Sequence, residues 1–179
     1  MLKNLLKKQA AEYQKAQSGE TTTFTVTPAS APKFWYLIII GGLVFLGGFL
    51  GLGIFGWVMG GGAIAYGLLR DQRPKEHKQS STFSVTPETI TVGGRSFKKD
   101  EFHRLIIKNP WFDRAGLDVY TTNANAAAGM EHGMKLGELC YALDVEAGGK
   151  AHQLAGGMDR TTVFGLLSDV SKIVGLKVS

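Results

Sequence analysis

Hydrophobic and polar positions divide this chain sharply. Residues 34–69 form 36 consecutive positions without Asp, Glu, Lys, Arg or His. A helix crossing the hydrocarbon core of a bilayer needs about 20 apolar residues, and a soluble domain this small has no core able to bury so long an uncharged run. The block therefore predicts a membrane segment. As one straight helix it would measure about 54 Å, against a core of about 30 Å. As two spans it gives about 16–17 residues each, at the short end of the usual range. Lys and Arg flank both ends of the block, and both ends then favour the cytoplasmic side. Two spans meet that demand. The expected arrangement is a transmembrane helical hairpin over 34–69, with spans at 34–50 and 54–69 and a turn at 51–53. A single span would instead put the C-terminal domain across the membrane from the N-terminal arm.

The remaining pattern is mixed. Leu2, Leu5, Leu6, Gln9, Tyr13 and Ala16 recur at helical spacing, with Lys3, Lys7, Lys8 and Lys15 between them. This predicts an N-terminal amphipathic helix over residues 1–20, lying in the headgroup plane, packed on another subunit, or frayed as a free terminus. Residues 21–33 read as a Thr- and Pro-rich, strand-like linker. It contains Thr23-Phe24-Thr25-Val26-Thr27-Pro28, nearly repeated as Thr82-Phe83-Ser84-Val85-Thr86-Pro87. Both copies read as short strands stopped by proline. Either the likeness is chance in Thr-rich sequence, or the first copy adds through Phe24 and Val26 as an edge strand to the soluble domain of the same or a neighbouring subunit.

After a charged linker at 70–79, residues 80–179 predict a soluble domain. Strands are expected at 82–86, 89–92, 95–98, 101–108, 116–122, 138–145 and 150–154. The period then changes: Val163, Phe164, Leu166, Leu167, Val170, Ile173 and Val174 share one helical face over 161–174. Asp159 or Thr161 is placed to cap that helix and Gly175 to end it. The fold class is that of an α+β membrane protein, in which a glycine-rich hairpin carries a small β-barrel or sandwich with a C-terminal helix over an open end.

The run Val85-Thr86-Pro87-Glu88-Thr89-Ile90-Thr91-Val92-Gly93-Gly94-Arg95, followed by Phe97 to Leu105, resembles the opening of bacterial pleckstrin-homology-like domains. Leu154-Ala155-Gly156-Gly157 before the amphipathic helix is similar to that family as well. The resemblance covers roughly 80–175 and consists of strands and turns. It implies a PH-like fold, a tendency to assemble or bind partners, and a bacterial cytoplasmic membrane. It carries no binding residue.

Charge sharpens the picture. The net +5 of the chain divides into +3 over residues 1–33, +2 over 70–78 and zero over 79–179. The excess flanks the apolar block, which points to lipid headgroups and away from nucleic acid. Lys7, Lys8, Lys33, Arg70 and Arg73, with Trp35, Tyr36 and Tyr66, are the expected membrane-interface residues. Trp57 would lie near the opposite interface. Glycine is dense in the block. The spacings Gly47–Gly51, Gly56–Gly60 and Ala63–Gly67 are those that let helix backbones approach closely in lipid. They predict packing of the spans on each other and on neighbouring subunits.

Chemistry is sparse. His77, His103, His132 and His152 have no metal-ligand spacing with Cys140, the single cysteine. Met130, His132 and Met134 read as part of a loop over 123–135. Asp100, Glu101 and His103 alternate faces on a strand. The expectation is a non-enzyme without cofactor, metal, nucleic acid or small-molecule substrate. The leading role is a scaffold or adaptor in an oligomeric or multi-component envelope or secretion complex, with both termini cytoplasmic. A small oligomeric pore and a lipid-headgroup sensor are the alternatives.

Overall fold

A computed structural model describes residues 10–111 and 133–176. The chain divides into two compact units. One holds residues 31–72. The other joins, among the described residues, 10–30 to 73–111 and 133–176, so it is assembled from pieces of chain on either side of the first.

The sheet unit begins with a β-hairpin, β1 (Glu12–Ser18) and β2 (Thr21–Thr27), turning at Gly19. It continues with β3 (Ser81–Val85), β4 (Thr89–Val92) and β5 (Arg95–Lys98), which complete an antiparallel sheet in the order β1-β2-β3-β4-β5. A second antiparallel sheet contains β6 (Phe102–Lys108), β7 (Tyr141–Ala147) and β8 (Lys150–Met158) in that order. The described strands do not close into a barrel. A C-terminal helix follows, which we call α3 (Arg160–Val174). Its stripe of Val163, Leu166, Leu167, Val170 and Val174 is buried in one core with residues of both sheets, whereas Phe164, expected on the same face, lies off it and is exposed. The Asp159 carboxylate accepts from the Thr162 backbone N–H at 2.9 Å and caps the helix start. Gly175, at φ 70°, ends it.

Period-2 alternation explains β2. Thr22, Phe24 and Val26 point inward and are buried, while Thr25 is exposed. The two near-identical hexapeptides pair with each other, antiparallel, with Phe24 opposite Phe83. Both rings are buried and stack with centroids 5.3 Å apart. The expected pairing of this segment onto the sheet thus occurs within the chain. The position differs from the expectation, because β2 is an inner strand and β1 forms the edge.

The expected N-terminal helix is overturned over the described part. Residues 12–18 are strand, and residues 1–9 lie outside the described residues. The polar run Glu12–Ser18 has too few apolar positions to separate a period of 3.6 from a period of 2. The exposed backbone edge of β2 then decides in favour of a strand. On β1 the alternating residues Tyr13 and Lys15 both reach Asp169 of α3. The tyrosine Oη donates at 3.2 Å and the lysine Nζ at 3.0 Å to the same carboxylate oxygen. The strand expected at 116–122 lies outside the described residues.

The other unit is helical. Its two segments, α1 (Trp35–Gly47) and α2 (Gly53–Leu69), are joined through a π-type turn at Gly48–Leu52. Gly51 adopts φ 128° there, a conformation in which a side chain would be strained.

Two outcomes are expected in the full-length protein. Phe24→Ala should destabilise the sheet unit by about 3–5 kcal/mol, the range for a buried phenylalanine, whereas Gln14→Ala on the exposed edge should change stability by less than about 0.5 kcal/mol. Chemical denaturation in detergent checks both. The Lys15 hydrogen bond, and after it that of Tyr13, holds the Asp169 carboxyl below the usual carboxylate range. That contribution is present above the ordinary carboxylate pKa of about 4 and is lost as pH falls through the lowered value. Lys15→Met should therefore show a small, constant stability deficit above about pH 5 that closes on acidification, as read from denaturation midpoints across pH.

Candidate functional site

Within the helical unit, glycine decides how the helices meet. The backbones of α1 and α2 approach so closely that no side chain fits between them at several positions. A Cβ on Gly41 would lie 2.8 Å from the Gly60 carbonyl oxygen, and one on Gly56 would lie 2.7 Å from the Cα of Gly48. One on Gly60 would meet the Phe45 backbone, and one on Gly67 would lie 3.1 Å from the Phe34 oxygen. The Phe34 N–H donates to the Gly67 carbonyl at 3.1 Å. The α2 residues met fall in number as those on α1 rise, so the pair is antiparallel.

Of the expected packing residues, Gly56, Gly60, Ala63 and Gly67 line this seam, with the Ala63 methyl against Gly41. Gly47 and Gly51 do not. Gly47 faces the side chain of Leu52, and Gly51 serves the turn. Their GxxxG spacing straddles the helix end, where the helical period that gives such spacing its meaning has stopped. The residues missed are Gly41 on α1 and Gly48, the first residue of the π-type turn that follows it. Their seven-residue separation matches the 56, 60, 63, 67 pattern of the facing helix and was the available signal.

The outer surface of the pair is apolar. Trp35–Leu69 is long and apolar enough to cross a membrane, and its most apolar 18-residue window is only 11% buried. Leu50 is 88% exposed and Phe55 78%. Trp35, Tyr36 and Tyr66 are exposed at the end where the chain enters and leaves the pair. Lys33 Nζ donates to the Leu68 carbonyl at 2.8 Å, a cation on the final carbonyls of α2. The Arg70 guanidinium lies 5.4 Å from the centroid of the Tyr66 ring. At the turn, Trp57 packs on Gly48 and 5.3 Å from the Phe49 ring. Lys7 and Lys8 lie outside the described residues.

Arg73 departs from the expected interface role. It is 6% exposed, and its Nη1 donates to the Ala29 carbonyl at 2.7 Å within the sheet unit. Ala29 N–H in turn donates to the Gly157 carbonyl at 2.9 Å. Gly157 adopts φ 75° at a place where β8 carries an extra residue opposite β7. A Cβ on Gly157 would strike the His77 carbonyl and lie 2.7 Å from Pro28 Cβ. The two segments bordering residues 31–72 are therefore clasped together on one glycine pair of β8. A Gly-Gly inside a strand pattern signals such a close approach, but the sequence does not say which backbone approaches.

His77 is buried in this clasp. Burial, the largest influence, and Arg73 push its imidazole below the ordinary value; Glu76 and Asp144 oppose them without reversing the direction. Cys140 is buried, and no group of three or more metal-binding side chains occurs among the described residues. Met130 and His132 lie outside the described residues.

A crosslink tests the seam. In a Cys140→Ser background, Leu37→Cys with Gly67→Cys should form an intrachain disulfide once the seam gives by a few tenths of an ångström at Gly67, because a Cβ there would lie 3.3 Å from the Leu37 Cβ. Adding Gly60→Leu should abolish it, as read by mobility in denaturing gels. Comparison of the chain with protein-family models, with curated proteins and with solved structures returns no match.

Proposed function

We propose that this protein is a membrane-anchored scaffold or adaptor, in which the α1–α2 pair crosses the bilayer as a hairpin and the sheet unit docks partners on one face. The observation that carries this reading is the clasp. Ala29 and Arg73 are hydrogen-bonded to each other, so residues 31–72 depart from and return to one place. An even number of spans satisfies that constraint, and a single span does not.

The outward apolar surface supports the same reading, since lipid is the solvent in which Leu50 and Phe55 cost nothing to expose. At 1.5 Å per residue, α1 and α2 measure about 20 and 26 Å, short of a hydrocarbon core of about 30 Å. Tryptophan and tyrosine at the ends, lysine reaching outward and local thinning of the bilayer accommodate such a mismatch. The positive-inside rule favours the cytoplasmic side for both flanks, and with them for the sheet unit. Two antiparallel sheets and a C-terminal helix sharing one core support the pleckstrin-homology-like reading of that unit. On this reading partners are lipids around the hairpin, further copies of the chain or other membrane subunits, and proteins at the sheet unit.

Topology mapping tests the proposal. Reporters inserted at Ser18 and fused after Ser179 should both respond on the cytoplasmic side, and the protein should resist alkaline extraction from membranes. Reporters on opposite faces, or release of the protein by alkali, would overturn it.

A further inference from the structure

The segment that returns from the helical unit carries a buried polar cluster with no part in anchoring. It forms a short 3-10 turn, Lys75–His77, seated on β8. His77 is 2% exposed. The Nε2 edge of its ring lies over Gly156, where a Cβ would come within 3.1 Å of that nitrogen. Its Nδ1 has no hydrogen-bond partner among the described residues. Asp144 of β7 is also buried. One of its oxygens lies 3.1 Å from Lys108 Nζ of β6, and the other is without a hydrogen-bond partner among the described residues.

We propose that residues 73–78 form a proton-sensitive latch, which sits on the Gly156-Gly157 pair while His77 is neutral and lifts from the sheet unit when His77 takes a proton.

The charges around the ring give the direction. Arg73, on the same segment, opposes a second positive charge, and Glu76 and Asp144 favour one. Asp144 already has Lys108 beside it, so its charge is largely matched before His77 titrates. Burial is the largest influence and disfavours imidazolium, because a buried charge without its own partner is costly. The seated pKa therefore lies below that of the released histidine. It follows that the seat is fully stabilised above the free imidazole value of about 6.5 and weakens progressively as pH falls below it. Release would also take Arg73 from Ala29. It would free six residues of tether, up to about 20 Å of chain at 3.3–3.6 Å per residue. Only the consequence for reach, a sheet unit extending farther from the membrane, rests on the anchor reading; the latch itself does not.

The test uses the full chain in detergent micelles. Amide hydrogen exchange is followed over residues 73–80 at pH 7.5 and 5.5, with labelling times scaled for the intrinsic rate, and the histidine ring signals are titrated by NMR. Exchange over 73–80 should rise several-fold at pH 5.5 while β7 and α3 stay protected, and His77 should titrate below the ordinary histidine value over the same range. His77→Gln should remove the pH dependence. Gly156→Ala, whose methyl would crowd the Gln153 amide and the His77 ring, should raise exchange over 73–80 at both pH values. Unchanged exchange in the wild type, an ordinary His77 titration, equal loss of protection in β7 and α3, a pH response that persists in His77→Gln, or full protection in Gly156→Ala would each overturn the latch. If His77→Gln is unprotected at both pH values, the wild-type titration decides: a lowered value coincident with the exchange change supports the latch, and an ordinary value overturns it. None of these readouts depends on which face of a membrane the unit occupies.

Discussion

The sheet unit depends on one strand pairing, β2 with β3. These strands lie on either side of the helical unit in sequence, and they meet with Phe24 on Phe83. Removing two phenylalanine side chains from water stabilises the fold by about 1.5–3 kcal/mol each. That gain offsets the entropy of closing a long loop, which grows only slowly with loop length. The intervening segment is therefore not a linker between two finished domains. It is an excursion from one domain that is completed only after the chain returns.

The excursion has its own logic. On the proposed membrane reading, apolar side chains gain little by leaving hydrocarbon for each other, so helices associate where backbones come close enough for dispersion to act over many atoms. Gly41 on α1 and Gly48 at the start of the turn face Gly56, Gly60 and Ala63 on α2, and Gly67 lies against the start of α1. The large side chains, among them Leu50 and Phe55, are left outside. This is the reverse of a soluble helix pair, which would bury them. The same arrangement in water would expose a broad apolar patch of the kind that soluble monomers avoid.

The clasp on β8 makes the two flanks of the excursion part of the domain. Gly157 receives the Ala29 N–H and lies against the His77 carbonyl, while Arg73 bonds Ala29. These are mostly backbone contacts. They fix where the chain departs and returns with little demand on side-chain identity beyond the two glycines, the arginine and the histidine.

By itself the sequence determined whatever depends on local period or solvent preference. The uncharged run of 34–69, strands β4 and β5, the α3 stripe with its Asp159 cap and Gly175 stop, and the small-residue face of α2 were all legible, because each repeats at the period of its own element. Tertiary structure decided what depends on a partner far along the chain. Residues 12–18 became strand because β2 offered an unpaired edge. Phe24 and Val26 became core because β2 took an inner place in the sheet, on the face that packs against the second sheet and α3, and Arg73 turned inward because Ala29 was within reach. The seam chose Gly41 and Gly48 over Gly47 and Gly51, since spacing shows which residues share a face, and only the fold shows what that face meets.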